Sequence, residues 1–253
     1  MIIASWNVNS IRMRLNQVID VIHANNVDIF CLQEIKCIDN HFPKETFEDL
    51  GFNCQVFGQK TFNGVAILSK YPIDDIHSHI LDGDPQARYV ECFTGGIRIA
   101  NVYVPNGTDI SHPYYDYKIR FIKALIQRIQ TFSKYDEAQV IVGDFNIAPN
   151  PDDIYDFEYF REHIFSTPLE REYFKSILTL GFKDMVRAIY PNDPCYTWWD
   201  YRKGSFPKNH GARIDHVLLN IVAQQQYDNI SLLTDMRSNI KPSDHIPIVA
   251  KLY

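Results

Sequence analysis

The segment "VIVGDFNIAP", residues 140–149, carries the reading of the fold. Val140, Ile141 and Val142 are residues of a buried strand, Gly143 ends the apolar run, and Asp144 and Asn146 flank Phe145. A plain turn at the end of an apolar strand needs neither an acid nor an amide. Residues two apart in an extended segment share a face. The spacing therefore sends Asp144 and Asn146 one way and Phe145 back towards apolar partners.

The same pattern recurs along the chain. In "MIIASWNVN" (1–9), Asn7 and Asn9 share a face opposite Trp6 and Val8. "VDIFCLQEIK" (27–36) runs uncharged from Ile29 to Leu32 and then delivers Gln33 and Glu34. "RIANVYVPN" (98–106) places Asn101 and Tyr103 on one face and Asn106 just beyond. "GARIDHVLLN" (211–220) sets Asp215 between Ile214 and an aliphatic run, and "KPSDHIPIVAKL" (241–252) sets Asp244 and His245 before the last strand. Each residue alone reads as a turn, cap or solvated group. Together, acids and amides at the ends of buried strands stand on rigid supports suited to holding a site.

Carboxylates converging there would repel one another and raise their pKa values, a conflict that a divalent cation removes. The donors are mainly oxygens (Asn7, Glu34, Asp144, Asn146, Asp244), with His245 the one imidazole among them. That set suits Mg²⁺, with Mn²⁺ as a substitute, and argues against zinc. Mg²⁺ held in this way usually meets phosphate oxygens, so the donor chemistry points to metal-assisted phosphodiester chemistry. His245 is placed to donate to a non-bridging phosphate oxygen, with a carboxylate fixing its tautomer.

At 253 residues, with 45% hydrophobic and 22% charged residues, the composition is that of an ordinary globule. A net charge of −6 argues against coating nucleic acid by bulk electrostatics, although a local basic groove remains compatible with it. The five cysteines include no C-x-x-C pair, which indicates reduced thiols in a cytoplasmic protein rather than a disulfide frame. The sequence shows no targeting segment, and no apolar stretch approaches the ~20 residues needed to span a bilayer.

Ten short β-rich runs recur, some joined by turns and others by helical patterns. Ile11, Leu15, Val18, Ile19 and Ile22 predict one helix with Ser10 as N-cap, and Tyr114 to Phe132 predict a longer one. That many strands exceed a comfortable open sheet, so the expectation is one domain over 1–253, with two packed mixed sheets flanked by helices.

"WNVNSIR", "LQEIK", "GVAILSK", "NVYVPNG", "GDFNIAP", "TWWDYR", "RIDHVLL" and "PSDHIPI" resemble the successive motifs of the exonuclease III family of abasic-site (AP) endonucleases. They follow the family's order from residue 6 to residue 248. "GDFN" or "SDH" alone would indicate only the wider endonuclease/exonuclease/phosphatase superfamily, whereas "TWWDYR" followed by "RID" narrows it to the DNA-repair branch. The resemblance implies a four-layer, DNase I-like α/β sandwich that cuts double-stranded DNA 5′ to abasic sites with Mg²⁺. It also implies trimming of blocked 3′ ends, by a monomer.

Residue by residue, Glu34 matches the principal metal ligand, with Asn7 and Asn9 beside it. Asp144 matches the residue that orients and deprotonates water, steadied by Asn146. Tyr103 and Asn106 match phosphate contacts. His245 matches the histidine that polarises the phosphate, Asp215 its orienting partner, and Asp244 the acid nearest the metal region. Trp198 matches the wall of a pocket for the flipped-out abasic nucleotide, where extrusion is cheapest because no base stacking is lost. Arg202 stands where relatives face the DNA groove. Departures are Ala212 in place of a bulkier pocket residue, Ile35, and His216 in place of an apolar residue.

Further candidate phosphate contacts are Arg12, Arg14, Lys36, Lys60, Arg88, Lys203, Lys208, Arg213 and Lys241, whereas Lys123 and Arg128 read as solvated helix charges. Two other readings stay open at this point. One is a superfamily phosphoesterase acting on RNA, inositol phosphates or lipids. The other is a non-catalytic DNA-binding module, against which stand the intact acids.

Overall fold

The computed structural model describes residues 1–253. In chain order its elements are β1 (Ile2–Asn7), α1 (Ile11–Asn25), β2 (Ile29–Gln33), α2 (Lys44–Asp49), β3 (Asn53–Phe57), β4 (Val65–Ser69), β5 (Ile73–His77) and β6 (Tyr89–Thr94). Then follow β7 (Ile97–Tyr103), α3 (Pro113–Phe132), β8 (Ala138–Asp144), α4 (Phe157–Phe160), α5 (Pro168–Thr179), β9 (Phe182–Asp184) and α6 (Met185–Ile189). The last are β10 (Asp215–Asn220), α7 (Ile221–Gln224), β11 (Tyr227–Leu232) and β12 (Ile248–Leu252).

The strands form two six-stranded mixed sheets, ordered β11-β12-β1-β2-β4-β3 and β5-β6-β7-β8-β10-β9. Strand alternation sorts the core into layers. Ile3, Ile29, Cys31 and Ile67 of the first sheet meet Ile99, Val140, Val142 and Val217 of the second between the sheets. The alternate residues Ala4, Trp6, Phe30 and Leu32 face outward onto α1 and Phe47 of α2. On the other side Ala100, Ile141 and Leu218 face Phe121 and Leu125 of α3 and Phe174 of α5. Four layers result, as the resemblance implied.

Ten of the twelve strands coincide with the β-rich runs of the sequence. The two unpredicted ones, β5 and β9, are the outer strands of the second sheet. An edge strand pairs on one side only and tolerates charge, so "IDDIH" and "FKD" carry no apolar alternation to read. Ser10 does precede α1, but at φ 93 its side chain makes no capping bond; its backbone N–H instead donates to the Glu34 carbonyl at 2.8 Å.

Gly143 explains itself through the close approach of β7. At φ 136, a Cβ on this residue would lie 2.0 Å from the Val102 carbonyl oxygen. No helix is long and apolar enough to cross a membrane.

Candidate active site

The polar residues converge because they continue the inward faces of the central strands. β1 and β2 run parallel with Asn7 opposite Gln33, and β7 and β8 run parallel with Tyr103 opposite Asp144. β10 runs antiparallel to β8 and starts where β8 ends, pairing Asp215 with Asp144. β12 runs antiparallel to β1, so Asp244 and His245 arrive beside Asn7. Along β8 the inward positions read Val140, Val142, Asp144, so the apolar inter-sheet core gives way to the site at one end. Between the two lies a polar bridge, with Gln33 donating to Asn101 at 2.7 Å.

Both sheets meet at Asn7. Its Nδ2 donates to Glu34 Oε1 and to Asp144 Oδ2, each at 2.9 Å. Tyr103 donates its hydroxyl to the same Glu34 oxygen at 2.8 Å, and Lys36 pairs with Glu34 Oε2 at 2.8 Å. His245 Nδ1 lies 2.8 Å from Asp215 Oδ2, and its Nε2 lies 3.7 Å from Asp144 Oδ2. Trp6, buried on the outward face of β1, donates its indole N–H to the His245 carbonyl at 3.0 Å. Replacing such an anchor by alanine typically costs about 3–5 kcal/mol.

The strand ends are not extended, which revises the shared-face reading. Asn9 (φ 43) and Asn146 (φ 50) are left-handed, and their N–H groups donate to Asn7 Oδ1 at 3.0 Å and Asp144 Oδ1 at 2.9 Å. The repeat seen in the sequence is thus a repeated turn in which the strand-terminal side chain holds the backbone two residues on.

Electrostatics separate the acids. Burial pushes Glu34 up, but Lys36 and the Asn7 amide outweigh it and hold its carboxyl below the usual range. Burial pushes Asp144 up to about 7, with Asp215 adding to burial and His245 opposing it. Burial opposes charge on His245, yet Asp215 and Asp144 lift it to about 10, which keeps it an imidazolium at neutral pH.

Asp144, Asp215 and His245 place their donor atoms within 4.8 Å of one another, and Asp215 Oδ1 is buried with no hydrogen-bond partner. Hard oxygens, a raised buried carboxyl and an unsatisfied carboxylate oxygen fit a divalent cation at this acidic cluster.

Asn7 turns its N–H groups, not its oxygen, to the carboxylates. Asn146 commits its amide to the Val104 carbonyl at 2.9 Å and to Asn106 at 3.2 Å. Asp244 accepts from Asn9 at 3.0 Å and the Trp198 indole at 3.1 Å. Asn7, Asn146 and Asp244 are thus each held by hydrogen bonds to other residues of the site.

Beside the site lies a cleft of about 730 Å³ whose walls include Phe165, Trp198, Asn106 and Arg202. Asn106 and Trp198 join it to Asn146 and Asp244. The neighbouring Trp199 is core.

A model described as the endonuclease/exonuclease/phosphatase family matches residues 4–245. The chain belongs to this family. It falls in the exonuclease III branch: an exodeoxyribonuclease III from Haemophilus influenzae is 32% identical over 98% of both chains. Two solved structures cover 100% of this chain and 99% of their own. One is a 3′ phosphatase from Neisseria bound to a product DNA hairpin (36% identical, TM-score 0.97), and the other an AP endonuclease from Archaeoglobus fulgidus (35%, TM-score 0.95). The chain is accordingly a hydrolytic nuclease of a metal-dependent family.

Three basic residues expected on DNA do other work in this exonuclease III relative. Arg213 is fully buried, bidentate to Asp153 (2.6 and 3.0 Å) and bonded to Asp184 (2.7 Å). Arg88 is buried over the Tyr103 ring at 4.5 Å and donates to Gln86 and Tyr114, so it supports Tyr103 instead of reaching solvent. Arg14 clamps the carbonyls of Asn9, Lys241 and Pro242, tying α1 to the loop before His245. Arg128 is not a solvated charge either, since it forms a bidentate pair with the buried Glu91. Arg202 is exposed and pairs with Asp200, and Arg12, Lys60, Lys203, Lys208 and Lys241 are exposed.

Some functional residues were not singled out from the sequence. Thr197 Oγ1 accepts from the N–H groups of Ile214 and Asp215, both at 3.1 Å, and so fixes the start of β10. Lys118, fully buried and paired with Glu170, donates to the carbonyls of Asn146 at 2.8 Å and Asn106 at 3.2 Å. Its position one turn before Phe121 and Ile122, on the apolar face of α3, was the available signal. His216, unexplained in the sequence, packs edge-on to Phe145 and tilted against Phe174, and bridges Arg213 to the Ile147 carbonyl.

Proposed function

We propose that residues 1–253 act as one monomeric catalytic domain that cuts the backbone of double-stranded DNA 5′ to abasic sites. It depends on Mg²⁺, or Mn²⁺ in its place, and it also processes blocked 3′ ends. The observation that carries this reading is the buried Asp215–His245 pair facing Asp144, with Glu34 alongside and an aromatic-walled cleft adjoining.

Each residue then has a chemical task. His245, held as an imidazolium by Asp215, donates from Nε2 to a non-bridging phosphate oxygen. Asp144, raised by burial, is basic enough near neutrality to take a proton from water in line with phosphorus. Asn146 and Asn106 shape the oxygen-binding surface, and Tyr103 orients Glu34. A divalent ion on Glu34 and Asp144 would supply the charge that offsets the developing phosphorane. Trp198 and Phe165 would shelter a sugar that carries no base.

A second reading is favoured by the Neisseria relative described as a 3′ phosphatase: removal of a 3′-phosphate as the main reaction, with the same residues acting on a monoester. One experiment tests both. Labelled duplexes carrying a tetrahydrofuran abasic site, a 3′-phosphate end or no lesion are incubated with Mg²⁺ or with chelator, using the parent and Asp144→Asn. The expected result is metal-dependent incision and 3′-phosphate release, both falling about 10²–10⁴-fold in Asp144→Asn. Activity that survives chelation, or full activity in the variant, refutes the mechanism. Turnover of the 3′-phosphate duplex alone leaves the second reading standing.

A further inference from the structure

The cleft beside the catalytic centre is larger and more aromatic than a base-free sugar requires. Its volume of about 730 Å³ falls in the range of roughly 300–1,000 Å³ that encloses a whole drug-sized ligand, of which a lone sugar is a fraction. Rings follow one another outward from the centre. Trp198, whose indole donates to Asp244, lies 5.5 Å from the buried Phe165, and Phe165 lies 5.9 Å from Phe160. Phe160 in turn lies 4.9 Å from Tyr159 and 5.8 Å from Tyr155.

The series ends in two stacked pairs on the open side of the cleft. Tyr155 lies parallel to His210 with centroids 4.5 Å apart, and Tyr159 lies against His163 at 3.9 Å. Tyr155 and Tyr159 remain 43% and 52% exposed, and neither hydroxyl has a partner in the protein that would account for its placement. Charge bears independently on the occupant. Asp109, Asp156 and Asp200 line the cleft against only two cations, Arg202 and Lys203, and Arg202 is already paired with Asp200. Such a lining repels a run of phosphates and accepts a neutral, flat ring.

Duplex DNA keeps its base faces stacked on one another, whereas an unpaired nucleotide offers its base face to aromatic side chains. We propose that this cleft takes an unpaired nucleotide with its base attached, on the 3′ side of the bond that is cut. The base stacks on the exposed platforms of Tyr155 and Tyr159. The inference rests on the reading of the centre as a phosphodiesterase active at DNA 3′ ends, and adds a substrate class: strands whose last 3′ nucleotide is unpaired. Entry there breaks no base pair, so among base-bearing nucleotides this one is the cheapest to admit.

The test uses labelled duplexes whose 3′-terminal nucleotide is either paired or mismatched, and the variants Tyr155→Ser/Tyr159→Ser and Tyr155→Phe/Tyr159→Phe. Affinity is read by fluorescence anisotropy in chelator, and trimming of the last nucleotide with Mg²⁺. The parent is expected to bind and trim the mismatched end about tenfold or more better than the paired one. The serine variant is expected to lose that preference and the phenylalanine variant to keep it, since only the ring is needed. Release of a 3′-phosphate from a paired end, which places no base in the cleft, is expected to stay unchanged in both. The proposal is overturned if the parent binds both ends equally, if the serine variant keeps the preference, or if the phenylalanine variant loses it. A matching fall in 3′-phosphate release would also overturn it, by reducing the tyrosines to structural supports. Because binding is measured without turnover, the two readings fail separately: no turnover of any duplex refutes the reading of the centre, and equal affinities refute this one.

Discussion

Replacing Arg213 with methionine distinguishes a buried strut from a DNA contact. The guanidinium makes two bonds to Asp153, one to Asp184 at 2.7 Å, and sits 2.9 Å from His216 Nδ1, all in the interior. Burial by itself would raise both aspartates, and Arg213 outweighs it, holding both carboxyls below their usual range. Arg213→Met keeps the aliphatic stem but strands two buried carboxylates, of which Asp153 retains Arg187.

Breaking a buried pair in this way costs about 3–5 kcal/mol. For a chain this size, that corresponds to a fall in Tm of roughly 6–20 °C at about 2–4 °C per kcal/mol. The pH dependence follows from depressed carboxyls. Their contribution is fully present above the unfolded aspartate value of about 3.9 and is lost as pH falls through the folded value. The gap between parent and Arg213→Met is therefore widest near neutral pH and closes below about pH 4. Thermal and urea unfolding from pH 7 down to pH 3 read this directly. If Arg213→Met melts with the parent, while its abasic-duplex affinity drops and the salt slope loses about 0.9, the residue contacts phosphate and the burial argument is wrong.

Asp215→Asn removes the carboxylate that holds His245 at 2.8 Å, so kcat for incision should fall about 10²–10⁴-fold with KM changed only a few-fold. Steady-state kinetics on the abasic duplex settle it, and an unchanged kcat would remove His245 from the proposed chemistry. Lys118→Met should cost about 3–5 kcal/mol in urea unfolding by stranding Glu170, and should lower kcat because the Asn106 and Asn146 loops lose a shared donor. Lys118→Met/Glu170→Gln should recover much of the stability but not the kcat. Recovery of both would make the pair purely structural.

What the sequence by itself determined is whatever depends on neighbours close along the chain. Alternation in "VIVGD" and "IIASWN" placed Asp144 and Asn7 on inward faces, and the 3.6-residue period placed α1 and α3, because backbone geometry turns short-range spacing into direction. Where that periodicity was absent, at the charged edge strand β5 and the three-residue β9, the elements went unread.

Tertiary structure alone decided what each charge meets. Arg213 finds Asp153 across 60 residues, Arg14 finds Pro242 across 228, and Asn7 spans to Asp144 across 137. A guanidinium reads the same in sequence whether water or a buried carboxylate receives it, and the energies of those two settings differ by several kcal/mol. The packing of distant strands and loops makes that choice, so Arg213, Arg88 and Arg14 became struts of the site and not its surface.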